Sequence, residues 1–217
     1  MLERNTPAFR ARVTGRVFVH MGTTSPEYSH ALERDLVACG ARYVEAPVSG
    51  SRVPAEQGRL VGMVSGAADV VEAVLPLLEP LCTQWFRCGA VPGALRMKLA
   101  VNHYLIATVV ALCETVYAAR ASGIDLALLR RILNAGPMAS EVSRTKLDKL
   151  VREDFSPQAA VRDVATIADL VADQAACADA SVPLMRDCVT LFRCAHDAGM
   201  GDLDMAAVVN AFGFAES

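Results

Sequence analysis

The 217 residues contain no Gly-x-Gly-x-x-Gly turn, no Cys-x-x-Cys pair, no surplus of positive charge and few aromatics, with a single tryptophan. The missing glycine turn removes the usual cradle in which a dinucleotide pyrophosphate meets a helix N-terminus. A formal charge of -3 leaves no basic footprint for a phosphate backbone, so nucleic acid is not an expected partner. Seven cysteines are an odd number and sit mostly in apolar runs, as small hydrophobes do, which points to a reduced, cytoplasmic chain. Cys188 and Cys194 lie six apart, on different faces of a helix, with His196 beyond them and no second ligand pair near, so no metal site is expected. Behind Met1-Leu2-Glu3-Arg4 there is no apolar core of a signal peptide. The apolar run 105–112 is short and is flanked by Lys98, Asn102 and Glu114, so no membrane span is expected either.

What is present is 53% hydrophobic, rich in Ala, Val and Leu, and suits a helix-rich chain with an extensive core. Residues 16–21 read as a short buried strand. Ser25 then serves as a helix N-cap, with Pro26 at the first helical position and Gly40 as the stop. Strands follow at 41–48, 58–65 and 85–88, and a helix at 67–81 carries Val70, Val71, Val74, Leu75, Leu77 and Leu78. Alternating strands and helices predict a parallel or mixed sheet. Residues 1–15, polar and arginine-rich, offer little to such a core.

From Pro92 onward the strand signals stop. A helix of roughly thirty residues runs to Gly123, and further helices are predicted at about 125–135, 139–151, 157–177, 182–198 and 202–212, separated by Gly- and Pro-containing breaks. The fold class is therefore α/β plus all-α. Residues 1–91 are the α/β piece, and 92–217 an all-helical piece opened by a long helix.

One pair on that helix carries chemistry. Lys98 and Asn102 are four residues apart and share a face. A lysine turned into an apolar cleft loses hydration, which disfavours its cation and lets it exchange a proton near neutral pH. The same spacing also suits a surface lysine lying along apolar surface with its amine in water.

Four motifs in one order bear on the choice: Gly22-Thr23-Thr24-Ser25-Pro26-Glu27 after a strand, Glu45-Ala46-Pro47-Val48-Ser49-Gly50-Ser51 after the next, the Lys98/Asn102 helix start, and Gly199-Met200-Gly201-Asp202-Leu203-Asp204-Met205 before the last helix. Together they resemble the β-hydroxyacid dehydrogenase family, which includes 3-hydroxyisobutyrate dehydrogenase, tartronate semialdehyde reductase and, more distantly, 6-phosphogluconate dehydrogenase. The resemblance spans Val17 to Phe212. It implies Lys98 as the catalytic lysine, Asn102 as the amide that orients substrate, and Ser49, Gly50 and Ser51 as the cradle of a substrate carboxylate. Thr23 falls where the family approaches its cofactor, NAD or NADP. It also implies a homodimer built through the helical domain.

The departures carry information too. Glu45 replaces the commoner aspartate, and Val101 stands where many members have a second asparagine or a histidine, with His103 following Asn102. The family's Lys-Asp pair near the nicotinamide aligns without gaps to Thr166-Ile167, and Arg162-Asp163 resembles it only if four residues are removed, so Arg162 is a cofactor contact on that condition. Judged against the family, the resemblance implies that about eighty to ninety residues holding the glycine-rich βαβ unit are missing before Val17, that residues 1–91 are the C-terminal part of a Rossmann-type, dinucleotide-binding domain, and that 92–217 are its helical domain. The expectation is an NAD(P)-dependent oxidoreductase for a 3-hydroxy acid or related carboxylate, shortened and impaired in cofactor binding. The alternatives are a cofactor-independent acid–base enzyme (isomerase, dehydratase or cyclase) that reuses Lys98, and a non-catalytic dimer partner.

Overall fold

The computed structural model describes residue 4 and residues 6–213, which divide after Val101 into two compact units. The first unit opens with α1 (Pro7–Val13), β1 (Val17–His20), α2 (Pro26–Ala38), β2 (Arg42–Glu45), β3 (Val48–Ser49) and α3 (Arg52–Glu56). It continues with β4 (Leu60–Gly66), α4 (Ala68–Leu78), a 3₁₀ turn at Glu79–Leu81 and β5 (Cys82–Arg87). The sheet is mixed. β1 lies parallel to β2 with Val17 opposite Arg42 and His20 opposite Glu45, β2 runs antiparallel to β4, and β4 pairs with β3 antiparallel and with β5 parallel. Each parallel pair is joined through a helix, as such pairs require. Val44, Ala46 and Val64 of the sheet region pack under Val70, Val71, Val74 and Leu78 of α4, the apolar face that its spacing had marked.

The structure corrects two of the expected features. Residues 41–48 are not one strand, because Pro47 has no N–H to donate to a ladder, and pairing resumes only at Val48. Nor are the residues before Arg16 idle: Pro7 opens α1, and Phe9 and Val13, four apart, bury themselves against Leu32, Leu36, Ala41, Tyr43 and Val91 while Arg10 and Arg12 face outward. The polar composition concealed a two-residue apolar stripe.

α5 (Gly93–Ala121) runs from the first unit into the second. By length and composition it is apolar enough to cross a membrane. Its buried residues explain that composition differently: Ala94, Leu95, Lys98, Leu99, Asn102, Ile106, Val109, Val110, Cys113 and Val116 follow a helical period and form one inward stripe.

The second unit adds α6 (Leu126–Ala135), α7 (Glu141–Arg152), α8 (Val161–Cys177) and α9 (Pro183–Ala195), then a π turn at His196–Met200 and a 3₁₀ helix at Met205–Ala211. Asp125 caps α6 and a Ser140/Ser143 capping box starts α7. The expected α-helix at 202–212 is thus a 3₁₀ segment, entered through Asp204, whose carboxylate accepts the Ala206 N–H at 3.1 Å. Met185, Cys188, Phe192, Met205 and Val208 are buried in this unit.

Candidate functional site

Three lysines are buried among the described residues, and their surroundings differ. Lys146 Nζ donates to both carboxylate oxygens of Asp204 at 2.7 and 3.0 Å. Lys149 Nζ donates to the Ser156 carbonyl at 2.6 Å, to the Ser156 hydroxyl at 3.1 Å and to the Asp154 carbonyl at 3.3 Å. Lys98, only 9% exposed, makes no hydrogen bond or ion pair with any described residue. Its amine is uncompensated, and burial lowers its pKa from 10.5 to about 8. An amine that titrates there passes protons in either direction at ordinary pH.

One helical turn further along α5, Asn102 is 4% exposed, and its Nδ2 is buried with no acceptor. A buried amide donor without a partner costs free energy unless something supplies the acceptor. Lys98 and Asn102 thus hold donors that the fold leaves unmatched, side by side on the inward stripe. Val101, at the position of the family's second polar residue, is on the exposed side, and His103 is half-buried.

The Ser49–Ser51 segment lies in the same unit as Lys98. Ser49 ends β3 opposite Val61, Gly50 sits at φ +132°, and Ser51 is the N-cap of α3 without a side-chain cap bond. A Cβ at Gly50 would stand 2.5 Å from the Leu60 side chain, so only glycine fits that turn. Neither serine hydroxyl is taken by another described residue, which leaves both available beside the glycine turn.

At the carboxyl end of β1, where open α/β sheets bind their ligands, Ser25 caps α2 by accepting the Tyr28 N–H at 3.1 Å. Thr23, the expected cofactor contact, is half-buried. Its neighbour Thr24 has a buried hydroxyl with no partner. Thr24 belongs to the same motif, but nothing in the spacing distinguishes the two threonines. Arg162 is exposed, and its guanidinium is engaged by Asp202, with Asp163 at 3.9 Å. Among the described residues no group of three or more His, Cys, Asp or Glu is placed to hold a metal ion, and the seven cysteines are free thiols.

Known proteins resemble this chain along most of its length. The family model described as NAD-binding of NADP-dependent 3-hydroxyisobutyrate dehydrogenase matches residues 94–212, more than half of the chain. The chain belongs to the β-hydroxyacid dehydrogenase family. The NAD binding domain of 6-phosphogluconate dehydrogenase matches residues 1–89. Glyoxylate/succinic semialdehyde reductase 1 of Arabidopsis thaliana is 29% identical over 92% of the chain and 69% of its own length. An L-threonate dehydrogenase of Escherichia coli is 30% identical over 82% of the chain and 59% of its own length. The crystal structure of a 3-hydroxyisobutyrate dehydrogenase from Salmonella typhimurium superposes with a TM-score of 0.83 at 26% identity, covering 89% of this chain and 68% of that one. The chain therefore spans between about three-fifths and seven-tenths of the length of these relatives. The Rossmann-type domain followed by a helical domain is the architecture these members of the family share.

Proposed function

We propose that this chain carries the proton-transfer half of an NAD(P)-dependent oxidoreductase site for a small 3-hydroxy acid or a related carboxylate. The observation that carries the reading is Lys98, the one buried lysine of three that has no partner among the described residues. As a free amine Lys98 takes the proton of a substrate hydroxyl during oxidation. As an ammonium it returns a proton to the carbonyl oxygen during reduction. Asn102 donates its orphaned Nδ2–H to a substrate oxygen and fixes the reacting carbon relative to Lys98. Ser49, Gly50 and Ser51 hold the carboxylate with hydroxyl and backbone donors. The names of the relatives, reductases of glyoxylate and succinic semialdehyde and a dehydrogenase of L-threonate, agree in pointing to small acids.

The nicotinamide cofactor, when bound, accepts or supplies the hydride. The unpartnered Thr24 hydroxyl beside Thr23 suits one end of it. For the pyrophosphate these residues provide no glycine turn. We therefore expect the 217-residue chain to bind NADH and NADPH weakly. A fluorescence titration giving micromolar affinity would contradict that expectation.

The function itself is tested by turnover of a panel of 3-hydroxy acids at millimolar NAD(P)+. Lys98→Met is expected to lower kcat by at least about a hundredfold, the range of a lost general base. A parent protein inert to the whole panel, or a Lys98→Met variant as active as the parent, sinks the assignment.

A further inference from the structure

Beneath the first turn of α5 lies a buried polar chain that the proposed chemistry does not use. Glu45, the last residue of β2, is fully buried. Its Oε2 accepts the Leu95 N–H at 3.3 Å, and the neighbouring Ala94 N–H also favours the ionised carboxylate. Ser29 Oγ donates to its Oε1, Tyr43 OH lies 2.7 Å from Ser29 Oγ, and His20 Nδ1 lies 2.7 Å from Tyr43 OH. We propose that Glu45 is a positioning residue, whose carboxylate ties the first turn of α5 to the sheet and so sets the place of Lys98. This rests on the role given to Lys98 above.

A carboxylate here is costly where an aliphatic side chain would pack more cheaply, and what it supplies that an aliphatic side chain does not is an acceptor. The N-terminal N–H groups of a helix have no partners within the helix, and a carboxylate meets both that need and the positive end of the helix dipole. Lys98 follows Ala94 by four residues, so a turn fixed at Ala94 and Leu95 fixes the Cα from which the amine projects. The seat is also sterically narrow. A Cβ at Gly93 would stand 2.1 Å from the Cys88 carbonyl oxygen and 3.0 Å from Ser65 Oγ, so the helix begins in close approach to the chain after β5. Ser65, opposite Glu45 across the antiparallel β2–β4 pair, turns toward the same face, and its hydroxyl is buried and unpartnered.

The proton directions are consistent with an ionised Glu45. If Ser29 donates to the carboxylate, Tyr43 must donate to Ser29, and the Tyr43 oxygen is left to accept from His20 Nδ1–H. Each hydroxyl then donates once and accepts once. Burial raises the Tyr43 pKa and lowers that of His20, which keeps both neutral in those roles. Burial also raises that of Glu45 above the ordinary carboxylate value, and Ser29 and the helix N–H groups offset only part of the rise.

The test follows the Leu95 amide and the Lys98 amine by NMR, two readouts that need no turnover. In Glu45→Ala the Leu95 amide should exchange about tenfold faster or more, since its acceptor is lost, and the Lys98 titration midpoint should rise toward that of an ordinary lysine. Glu45→Gln, which keeps an oxygen acceptor in the same place, should restore both; if it matches Glu45→Ala instead, the hydrogen-bond tether is overturned. If Glu45→Ala does not fold, Ser29→Ala is read in its place, with smaller changes of the same sign expected. Parent-like exchange and titration in a folded Glu45→Ala, or in Ser29→Ala, overturn the proposal. Where the parent turns over, Glu45→Ala should lower kcat with KM nearly unchanged; a fall confined to KM would count against positioning of Lys98. A parent that is inert to every hydroxy acid refutes the oxidoreductase reading while leaving the NMR test of the tether intact.

Discussion

At the scale of single residues, the unpartnered amine of Lys98 makes a thermodynamic prediction that is independent of any substrate. Its pKa is about 8 in the folded chain against 10.5 for the ordinary group. Below about pH 8 both folded and unfolded states hold the proton, and the folded state bears the full cost of a buried cation. Between these values the unfolded chain binds more protons than the folded one, so stability rises with pH; above the upper value the cost is gone. Lys98→Met should therefore stabilise the protein near neutral pH by roughly 1–3 kcal/mol, since a tenfold loss of proton affinity corresponds to about 1.4 kcal/mol and residual water discounts the sum. The gain should vanish above about pH 10.5, the ordinary lysine value. Urea unfolding of parent and variant at several pH values measures this. A variant less stable than the parent at pH 7 would mean that the amine has a stabilising partner.

Between elements the buried polar contacts of the second unit act as joints. Asp204 accepts from Lys146 of α7, from the Gln158 N–H at 2.9 Å and from the Ala206 N–H that starts the 3₁₀ helix. Removing it strands a buried ammonium and several backbone donors, so Asp204→Ala should cost roughly 3–5 kcal/mol in urea unfolding. Arg162→Ala, which breaks the exposed pair with Asp202, should cost under about 1 kcal/mol. Equal costs would mean that burial is not what separates these pairs. Asp204 also shows where sequence patterns stop being informative. Its motif was legible, but its partner lies 58 residues away on another helix, and no local period records that. Local patterns served better for α2, with its Ser25 cap, and for the face shared by Lys98 and Asn102, because helix period and capping are local physics. They failed for α1, whose apolar stripe is two residues long, and for the break at Pro47. They also could not tell Lys98 from Lys146 and Lys149, since the presence of a partner is a tertiary fact.

For the molecule as a whole, the apolar surface of the second unit bears on assembly. No residue of α6 is buried, yet Leu128 and Ile132 lie on it, with Ile132 60% exposed, and Met138 just beyond it is 76% exposed. On α5, Tyr104 is 77% exposed. Large apolar side chains this exposed on and just beyond one helix are surface of the kind that another chain commonly covers. A second copy is the occupant that the family resemblance implies, and a two-fold interface would use these residues on both copies at once. Each substitution then acts twice, so the Tyr104→Glu, Ile132→Glu double variant places four charges in the contact and should convert a dimer to monomer in sedimentation velocity at micromolar concentration. Its unfolding midpoint should fall with it, because association stabilises the folded chain by mass action. A parent that sediments as a monomer across that range would show that this surface is not used for self-association.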